Sequence, residues 1–265
     1  GRGEPHRKGE VIDTQTSYVL PLAFNICDEE IKEQVIENLI VRIKKESWVN
    51  GESYPPYSLM TGFIGTAWIN RVLSDHGHSK TAYRLLQQTD YPSWLYSVDQ
   101  GATTIWERLN SYTKEDGFGG NNSMNSFNHY SFGAIGSWMC NHSLGIERNE
   151  ENSGFQHFTL QPEPDPTGEI TWAKGHYDSM YGRIESEWRL DPSDGSCTYR
   201  FLVPANTTAT LHLQAKSHEN VKEGNKPIAS SPHIQLLEGE EKKEGKVSMK
   251  LLPGEYRFNV NELFR

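Results

Sequence analysis

Basic side chains are scarce in this sequence of 265 residues. It holds 26 lysines and arginines against 35 aspartates and glutamates, which gives a formal net charge of −9. Nucleic acids and anionic membranes are bound through basic surfaces, so this composition argues against both kinds of partner. The imbalance is nevertheless modest, and aromatic residues make up 11% of the chain. Such a composition is typical of a folded protein rather than of a disordered acidic segment.

Cysteines and long apolar runs are also few. The three cysteines, Cys27, Cys140 and Cys197, are odd in number and far apart, which argues against a disulfide framework and against a zinc site. We therefore expect neither a metal ion nor a cofactor. No apolar run approaches the ~20 residues of a membrane-spanning helix. The N-terminus lacks the apolar segment of a signal peptide, so we expect none in this sequence.

The first part of the chain has the apolar spacing of helices. Ile31, Val35, Leu39 and Ile43 recur every four residues, which predicts one amphipathic helix that begins after Asp28. The same reasoning predicts further helices over residues 14–25, 61–76, 79–88 and 126–144, and a short helix that begins near Thr104. Gly145 follows the last of these segments, as is common at helix ends.

Beyond residue 150 the apolar period changes to two, which predicts half-buried strands. These strands cover residues 184–190, 197–203, 209–213 and 256–260, with a turn at Asp194-Gly195 between the first two. The polar stretches 216–226 and 238–246 are predicted to be exposed loops. The sequence therefore predicts two domains, an all-α domain over residues 1–150 and an antiparallel β-sandwich over residues 151–265.

Two polar residues in the first domain are candidates for a functional role. Thr104-Ile105-Trp106-Glu107 fits a capping box, in which the glutamate would bond to the backbone at the start of a helix. The alternative is that Glu107 activates a water molecule beside an aromatic wall. His129 lies in the predicted first turn of the last helix, where it is either a capping residue or a group that binds a ligand.

Several longer motifs, in this order along the chain, resemble those of a known enzyme family. They are Thr14-Gln15-Thr16-Ser17-Tyr18, Thr61-Gly62-Phe63-Ile64-Gly65-Thr66, Tyr91-Pro92-Ser93-Trp94, Gly101-Ala102-Thr103-Thr104-Ile105-Trp106-Glu107-Arg108, Asn128-His129-Tyr130, Tyr181-Gly182-Arg183-Ile184-Glu185-Ser186-Glu187-Trp188 and Val203-Pro204-Ala205-Asn206-Thr207-Thr208-Ala209. With them the chain resembles the C-terminal part of the bacterial α-L-rhamnosidases of glycoside hydrolase family 78. The resemblance covers residues 10–260, and the motif that ends in Glu107 and Arg108 is the most specific.

The resemblance implies a fold, a reaction and a set of site residues. The fold would be the second half of an (α/α)6 barrel followed by a C-terminal β-sandwich. The reaction would be hydrolysis of terminal α-L-rhamnose with inversion, on a rhamnose-containing glycoside or oligosaccharide. By resemblance Glu107 is the general base and His129 hydrogen-bonds the sugar. The aromatic side chains of the same motifs, Trp94, Trp106 and Phe63, are expected to contact the substrate.

One departure from the family pattern is as informative as the resemblance. The family carries its general acid in an acidic, arginine-containing motif of the N-terminal half of the barrel, and this sequence holds no such motif. We expect the chain to need the missing half of the barrel as a partner, to be inactive alone and to expose apolar helix faces. Two alternatives stay open: a saccharide-binding module, formed by the sandwich or by the aromatic loops Tyr54–Tyr57 and Trp94–Trp106, and an (α/α)6 hydrolase of another sugar. The bacterial compartment, whether cytoplasmic, periplasmic or extracellular, is not indicated.

Overall fold

The computed structural model describes residues 12–119, 123–238, 245–261 and 263. The chain forms two compact units, Gly1–Ile135 and Gly136–Arg265. Helices dominate the first unit and β-strands the second, so the predicted order of an all-α part followed by a β-sandwich is confirmed. None of the described helices is long and apolar enough to cross a membrane.

The described part of the first unit contains six α-helices and one β-hairpin. The helices are α1 (Gln15–Ala23), α2 (Glu29–Lys44), α3 (Gly62–Thr66), α4 (Ile69–Asp75), α5 (Ser79–Gln87) and α6 (Trp94–Asp99), and the hairpin consists of β1 (Ser47–Val49) and β2 (Glu52–Tyr54). Helix α2 buries Ile36, Leu39 and Ile43, as the four-residue apolar spacing predicts. Asp28 precedes α2 at the cap position without a side-chain hydrogen bond to the helix.

The prediction of one helix over residues 61–76 is wrong, because α3 and α4 are separate helices there. The hydroxyl of Thr66 donates to the carbonyl of Gly62 at 2.6 Å and lies 2.7 Å from the Thr61 hydroxyl. A Cβ atom at Gly65 would lie 2.5 Å from the Thr16 hydroxyl oxygen. Glycine therefore lets α3 approach α1 closely, and this contact holds α3 as a short helix of its own.

The short helix predicted near Thr104 and the early start of the helix over 126–144 are also wrong. Residues 102–119 form no helix, and the last helical run begins at a 3₁₀ turn, Ser131–Ala134. It continues as α7 (Ile135–Trp138) and ends in a π-type turn, Met139–Ser143. The reason is that residues 104–107 bond to residues 126–129 instead of to their own next turn.

Two sheets make up the second unit. Six strands pair in the order β10-β9-β13-β7-β6-β5 and five in the order β11-β12-β8-β4-β3. The bounds are β3 (Ile146–Arg148), β4 (His157–Leu160), β5 (Trp172–Ser179), β6 (Gly182–Asp191), β7 (Ser196–Val203), β8 (Thr208–Gln214), β9 (Val221–Glu223), β10 (Lys226–Pro227), β11 (Ile234–Leu236), β12 (Lys246–Leu251) and β13 (Gly254–Val260). The pairs are antiparallel except that of β4 with β8. Strands β5 to β7 of the other sheet form the crossover that a parallel pair requires.

The sandwich core lies between these two sheets. Trp188, Tyr199 and Phe201 of the larger sheet are fully buried against Phe158 and Leu160 of the smaller one. The four predicted strands are confirmed, as is the turn at Asp194-Gly195.

The loop predicted over 216–226 is only partly correct, because it contains β9. Val221 of this strand is 1% exposed and belongs to the core. Its burial therefore favours a strand even though the neighbouring residues are polar. Most of the loop predicted over 238–246, residues 239–244, lies outside the described residues.

Candidate active site

A pocket of about 350 Å³ opens in the helical unit beside α3. Aromatic and polar side chains from several segments line it: Val49, Tyr54, Leu59, Met60, Gly62, Phe63, Tyr91, Pro92, Glu107, Arg108, Leu109, Asn110 and Phe132. Glu107 is the one carboxylate among the described residues that line it. An apolar wall with few polar groups is the usual composition of a site for a small ligand.

Two irregular segments, residues 104–107 and 126–129, bond to each other next to this pocket, and Glu107 of the first segment lines it. The backbone N–H of Glu107 donates to the Ser126 carbonyl at 2.9 Å, and the N–H of His129 donates to the Ile105 carbonyl at 2.9 Å. The Thr104 hydroxyl donates to the carbonyl of Phe127. These cross-loop bonds satisfy backbone groups that a helix would otherwise pair. They also bring Glu107 and His129, which are far apart in sequence, onto two adjacent segments of the chain.

The carboxylate of Glu107 is half-buried and held by the backbone. Its Oε2 atom accepts a hydrogen bond from the N–H of Ser126 at 2.9 Å. Because Glu107 lies outside any helix, the capping-box interpretation is wrong. The same bond holds the carboxylate of this pocket-lining residue in place.

Phe63 connects His129 to the pocket. The rings of Phe63 and His129 stack with centroids 4.8 Å apart and planes 29° apart. Phe63 also packs edge-on against Phe132 at 5.5 Å, and both phenylalanines line the pocket. Of the sequence-predicted residues, Glu107 and Phe63 line the pocket, whereas His129 does not line it and contacts it through the ring of Phe63.

The hydrogen bonding of His129 indicates its tautomer. The backbone N–H of Ser131 donates to Nδ1 of His129 at 3.3 Å. A nitrogen that accepts a hydrogen bond carries no proton, so in the neutral ring the proton is on Nε2. That N–H is the group with which His129 can donate to an oxygen atom of a ligand.

The two tryptophans predicted to contact substrate are buried behind the pocket. Trp94 is 7% exposed, and its indole N–H donates to the carbonyl of Phe132 at 2.8 Å. Trp106 is also 7% exposed and packs edge-on against Phe127 at 5.3 Å. Neither is among the residues that line the cavity. Trp94 therefore supports one wall residue, and Trp106 supports the segment that carries Phe127.

Sequence reasoning missed Tyr91 and Arg108 as pocket residues, and it named Tyr54 only in the alternative of a saccharide-binding loop. Arg108 follows Glu107 in an irregular segment, and both residues line the same cavity. Arg108 is anchored by a bond from Nη2 to Oδ1 of Asn125 at 3.1 Å. The sequence contains a signal for all three, since Tyr91 and Arg108 belong to the family motifs and Tyr54 belongs to an aromatic loop.

The tyrosines of the pocket remain neutral near neutral pH. A hydrogen bond to the Glu52 carboxylate, 2.6 Å from the Tyr54 hydroxyl, raises the pKa of Tyr54 to about 12. Burial raises the pKa of Tyr91 above its ordinary value. The rings of Tyr54 and Tyr91 lie 5.9 Å apart, and together they form an aromatic side of the cavity. Within the described residues no group of three or more histidine, cysteine or acidic side chains could hold a metal ion.

Comparison with known proteins also divides the chain into two adjoining segments. The family model for the bacterial α-L-rhamnosidase six-hairpin glycosidase domain matches residues 6–143, and that for the bacterial α-L-rhamnosidase C-terminal domain matches residues 145–227. The first match alone spans more than half of the chain. The chain belongs to the bacterial α-L-rhamnosidase family.

Individual relatives agree with this assignment. An α-L-rhamnosidase of Formosa agariphila is 35% identical over 251 residues, which are 95% of this chain and 25% of the relative. An α-L-rhamnosidase of Streptomyces avermitilis is 35% identical over 79% of this chain and 19% of its own length. The chain thus spans about a quarter or less of the length of these curated relatives.

The fold is likewise similar to that of solved α-L-rhamnosidase structures. The crystal structure of the Streptomyces avermitilis enzyme complexed with L-rhamnose has a TM-score of 0.78 and 30% identity, and covers 96% of this chain and 23% of that one. The structure of the Aspergillus terreus enzyme has a TM-score of 0.72 at 28% identity, with 94% and 24% covered. The predicted half-barrel and sandwich are those of this family.

Proposed function

We propose that this chain contributes the general base and part of the sugar subsite to an inverting α-L-rhamnosidase. The observation that carries the proposal is the position of Glu107, a backbone-anchored carboxylate in a pocket whose wall includes Phe63 and Phe132. Family membership supports the substrate class, since the matched models describe α-L-rhamnosidase domains. The substrate is accordingly a glycoside or oligosaccharide with a terminal α-L-rhamnose.

Glu107 removes a proton from the attacking water. An inverting hydrolase places two carboxyl groups on opposite faces of the sugar, about 6.5–9.5 Å apart, so that a water molecule fits beside the base. The bond from the Ser126 N–H holds one carboxylate oxygen in place. A fixed base of this kind contributes about 10²–10⁴ to the rate.

His129 and Phe63 position the sugar. The Nε2–H of His129 donates to a hydroxyl oxygen of rhamnose, while the stacked ring of Phe63 keeps the imidazole plane in place. Trp94 and Trp106 belong to the subsite as supports of its wall, through the Phe132 carbonyl and the Phe127 ring.

The general acid lies outside these 265 residues. Glu107 has no second carboxylate beside it among the described lining residues of the pocket. The chain also spans only about a quarter of the Formosa agariphila relative. The partner in catalysis is then the preceding half of the barrel, and the chain alone hydrolyses little or no rhamnoside.

The test compares the longest natural polypeptide that contains this sequence with the 265-residue chain, each with and without Glu107→Gln, on an aryl α-L-rhamnoside. We expect activity only in the longer polypeptide, and a loss of about 10²–10⁴ in kcat with Glu107→Gln. Proton NMR of the first sugar released gives the anomer and so tests inversion. Unchanged turnover in the glutamine variant would refute the base role. Activity of the longer polypeptide on another glycoside only would refute the substrate.

A further inference from the structure

A second pocket, of about 610 Å³, lies in the β-sandwich unit and takes no part in the proposed reaction. Two segments line it: the end of β3 with the loop that follows, and the end of β5 with the turn into β6. The lining residues are Arg148, Asn149, Glu150, Gly154, Phe155, Tyr177, Ser179 and Met180. Its size lies within the range of small-molecule sites, about 300–1,000 Å³.

Tyr177 lies on the core-facing side of β5, yet it is exposed. Side chains alternate along a strand, so Ala173, Gly175 and Tyr177 share one face of β5. Ala173 packs against the core, and a Cβ atom at Gly175 would lie 2.3 Å from Leu144. The strand partner of Tyr177 is Ile184, which is fully buried. Tyr177 itself is 46% exposed. Its ring therefore extends beyond the end of the core, at the rim of the sandwich.

Phe155 packs against this ring from a backbone conformation that bulky residues seldom adopt. Its φ is 65°, and Gly154 before it has φ 77°. The rings of Phe155 and Tyr177 have centroids 4.5 Å apart. Strained backbone of this kind is typical of binding sites, where the surrounding structure holds it in place. The pair forms a fixed aromatic surface on the pocket wall.

Polar groups of opposite charge border the aromatic pair. Nη2 of Arg148 and Oε1 of Glu150 are 3.3 Å apart, and the two side chains are 70% and 83% exposed. Oδ1 of Asn149 accepts from the backbone N–H groups of Glu151 and Asn152 at 3.0 and 3.1 Å, so the loop is held by its own turn. The two charges cancel, and a guanidinium and a carboxylate together donate to and accept from neighbouring hydroxyls.

We propose that this rim pocket binds an uncharged saccharide ring without cleaving it. The apolar face of a pyranose packs on the rings of Tyr177 and Phe155, and its hydroxyls bond to Arg148, Glu150 and Asn149. A sugar ring with one apolar face and hydroxyls around its edge is complementary to an aromatic surface bordered by hydrogen-bonding groups.

The test is a titration of the ¹⁵N-labelled 265-residue chain with methyl α-L-rhamnopyranoside and with methyl β-D-galactopyranoside, followed by NMR. For at least one probe we expect saturable shifts of the amides of residues 148–155 and 177–180. Tyr177→Ala weakens this binding at least about tenfold, since a central aromatic contact commonly costs that much. The matched control is Trp172→Ala, an exposed aromatic residue of the same strand but of its opposite face, which leaves the affinity unchanged.

Two further variants separate binding from folding and from the candidate active site. Arg148→Ala removes only an exposed side chain, keeps the fold and also weakens binding. Glu107→Gln leaves these shifts unchanged, because the rim pocket does not include it.

The proposal is overturned if neither probe shifts these amides. It is also overturned if Trp172→Ala weakens binding as much as Tyr177→Ala. A further overturning result is that tetranitromethane nitrates Tyr177 in the 265-residue chain but not in the longest natural polypeptide, because the pocket would then be covered by protein.

Discussion

Replacing Trp94 by phenylalanine tests whether this tryptophan supports the pocket wall from behind. Trp94 is 7% exposed, and its indole N–H donates to the Phe132 carbonyl at 2.8 Å. Phenylalanine cannot make this bond, and an unpaired buried carbonyl costs about 1–3 kcal/mol. The smaller ring also leaves a cavity that costs about 1 kcal/mol. We expect the free energy of unfolding to fall by about 2–4 kcal/mol in total.

The assay is urea denaturation of the 265-residue chain, followed by far-ultraviolet circular dichroism. The matched control is Trp48→Phe in the same unit, because Trp48 is 67% exposed; surface changes of this kind usually stay within about 0.5 kcal/mol. The reasoning is refuted if the two variants unfold at the same urea concentration. That result would mean that the Trp94 hydrogen bond contributes nothing to the stability of the wall.

Three further predictions concern the sandwich. Trp188→Phe removes a buried hydrogen bond of 2.8 Å from the indole to the Ser143 carbonyl, and we expect a loss of about 2–4 kcal/mol in urea denaturation. Burial raises the pKa of the Cys197 thiol to about 12, so iodoacetamide at mildly alkaline pH should label the exposed Cys140 and spare Cys197 in the mass spectrum. Burial also raises the pKa of Tyr256 to about 12. The stability linked to its neutral hydroxyl is therefore complete below the unfolded pKa of about 10 and is lost as the pH rises toward 12. Unfolding of the wild type and of Tyr256→Phe at alkaline pH measures this loss of stability.

Four of the eleven described strands of the sandwich could be predicted from the sequence, because burial in them follows a simple alternation. In β6 and β7 every second side chain faces the core, so Trp188 and Tyr199 are buried while Arg189 and Thr198 are not. The parallel pairing of β4 with β8 could not be predicted, since partner choice depends on contacts between residues about 50 positions apart. The short strand β9 was not predicted for a related reason, since it depends on the burial of a single valine, Val221.

The candidate site was harder to predict because it is built from irregular backbone. The pattern around Thr104 and Glu107 matches a helix start in its residue types, but these residues bond to the segment 126–129. Such a choice depends on distant partners, which local propensity does not contain. The identity of the residues was nevertheless available: Glu107, His129 and Phe63 all occur in the family motifs. What the structure adds is Tyr54 and Arg108, which only the folded pocket brings beside Glu107.

The hydrogen bond that holds the Glu107 carboxylate comes from the backbone N–H of Ser126, so deleting the Ser126 side chain cannot remove it. Ser126→Ala keeps the N–H that donates to the Glu107 carboxylate and removes only a hydroxyl that accepts from Asn128. Ser126→Pro removes the N–H itself. A displaced catalytic group costs about a hundredfold in rate, so we expect kcat on an aryl α-L-rhamnoside to fall by about that factor in the proline variant of the longest natural polypeptide. The alanine variant should stay within about twofold of wild type, since its anchor is intact. Circular dichroism confirms that the compared proteins are folded, and equal kcat values for proline and alanine would show that the Ser126 bond does not orient the base.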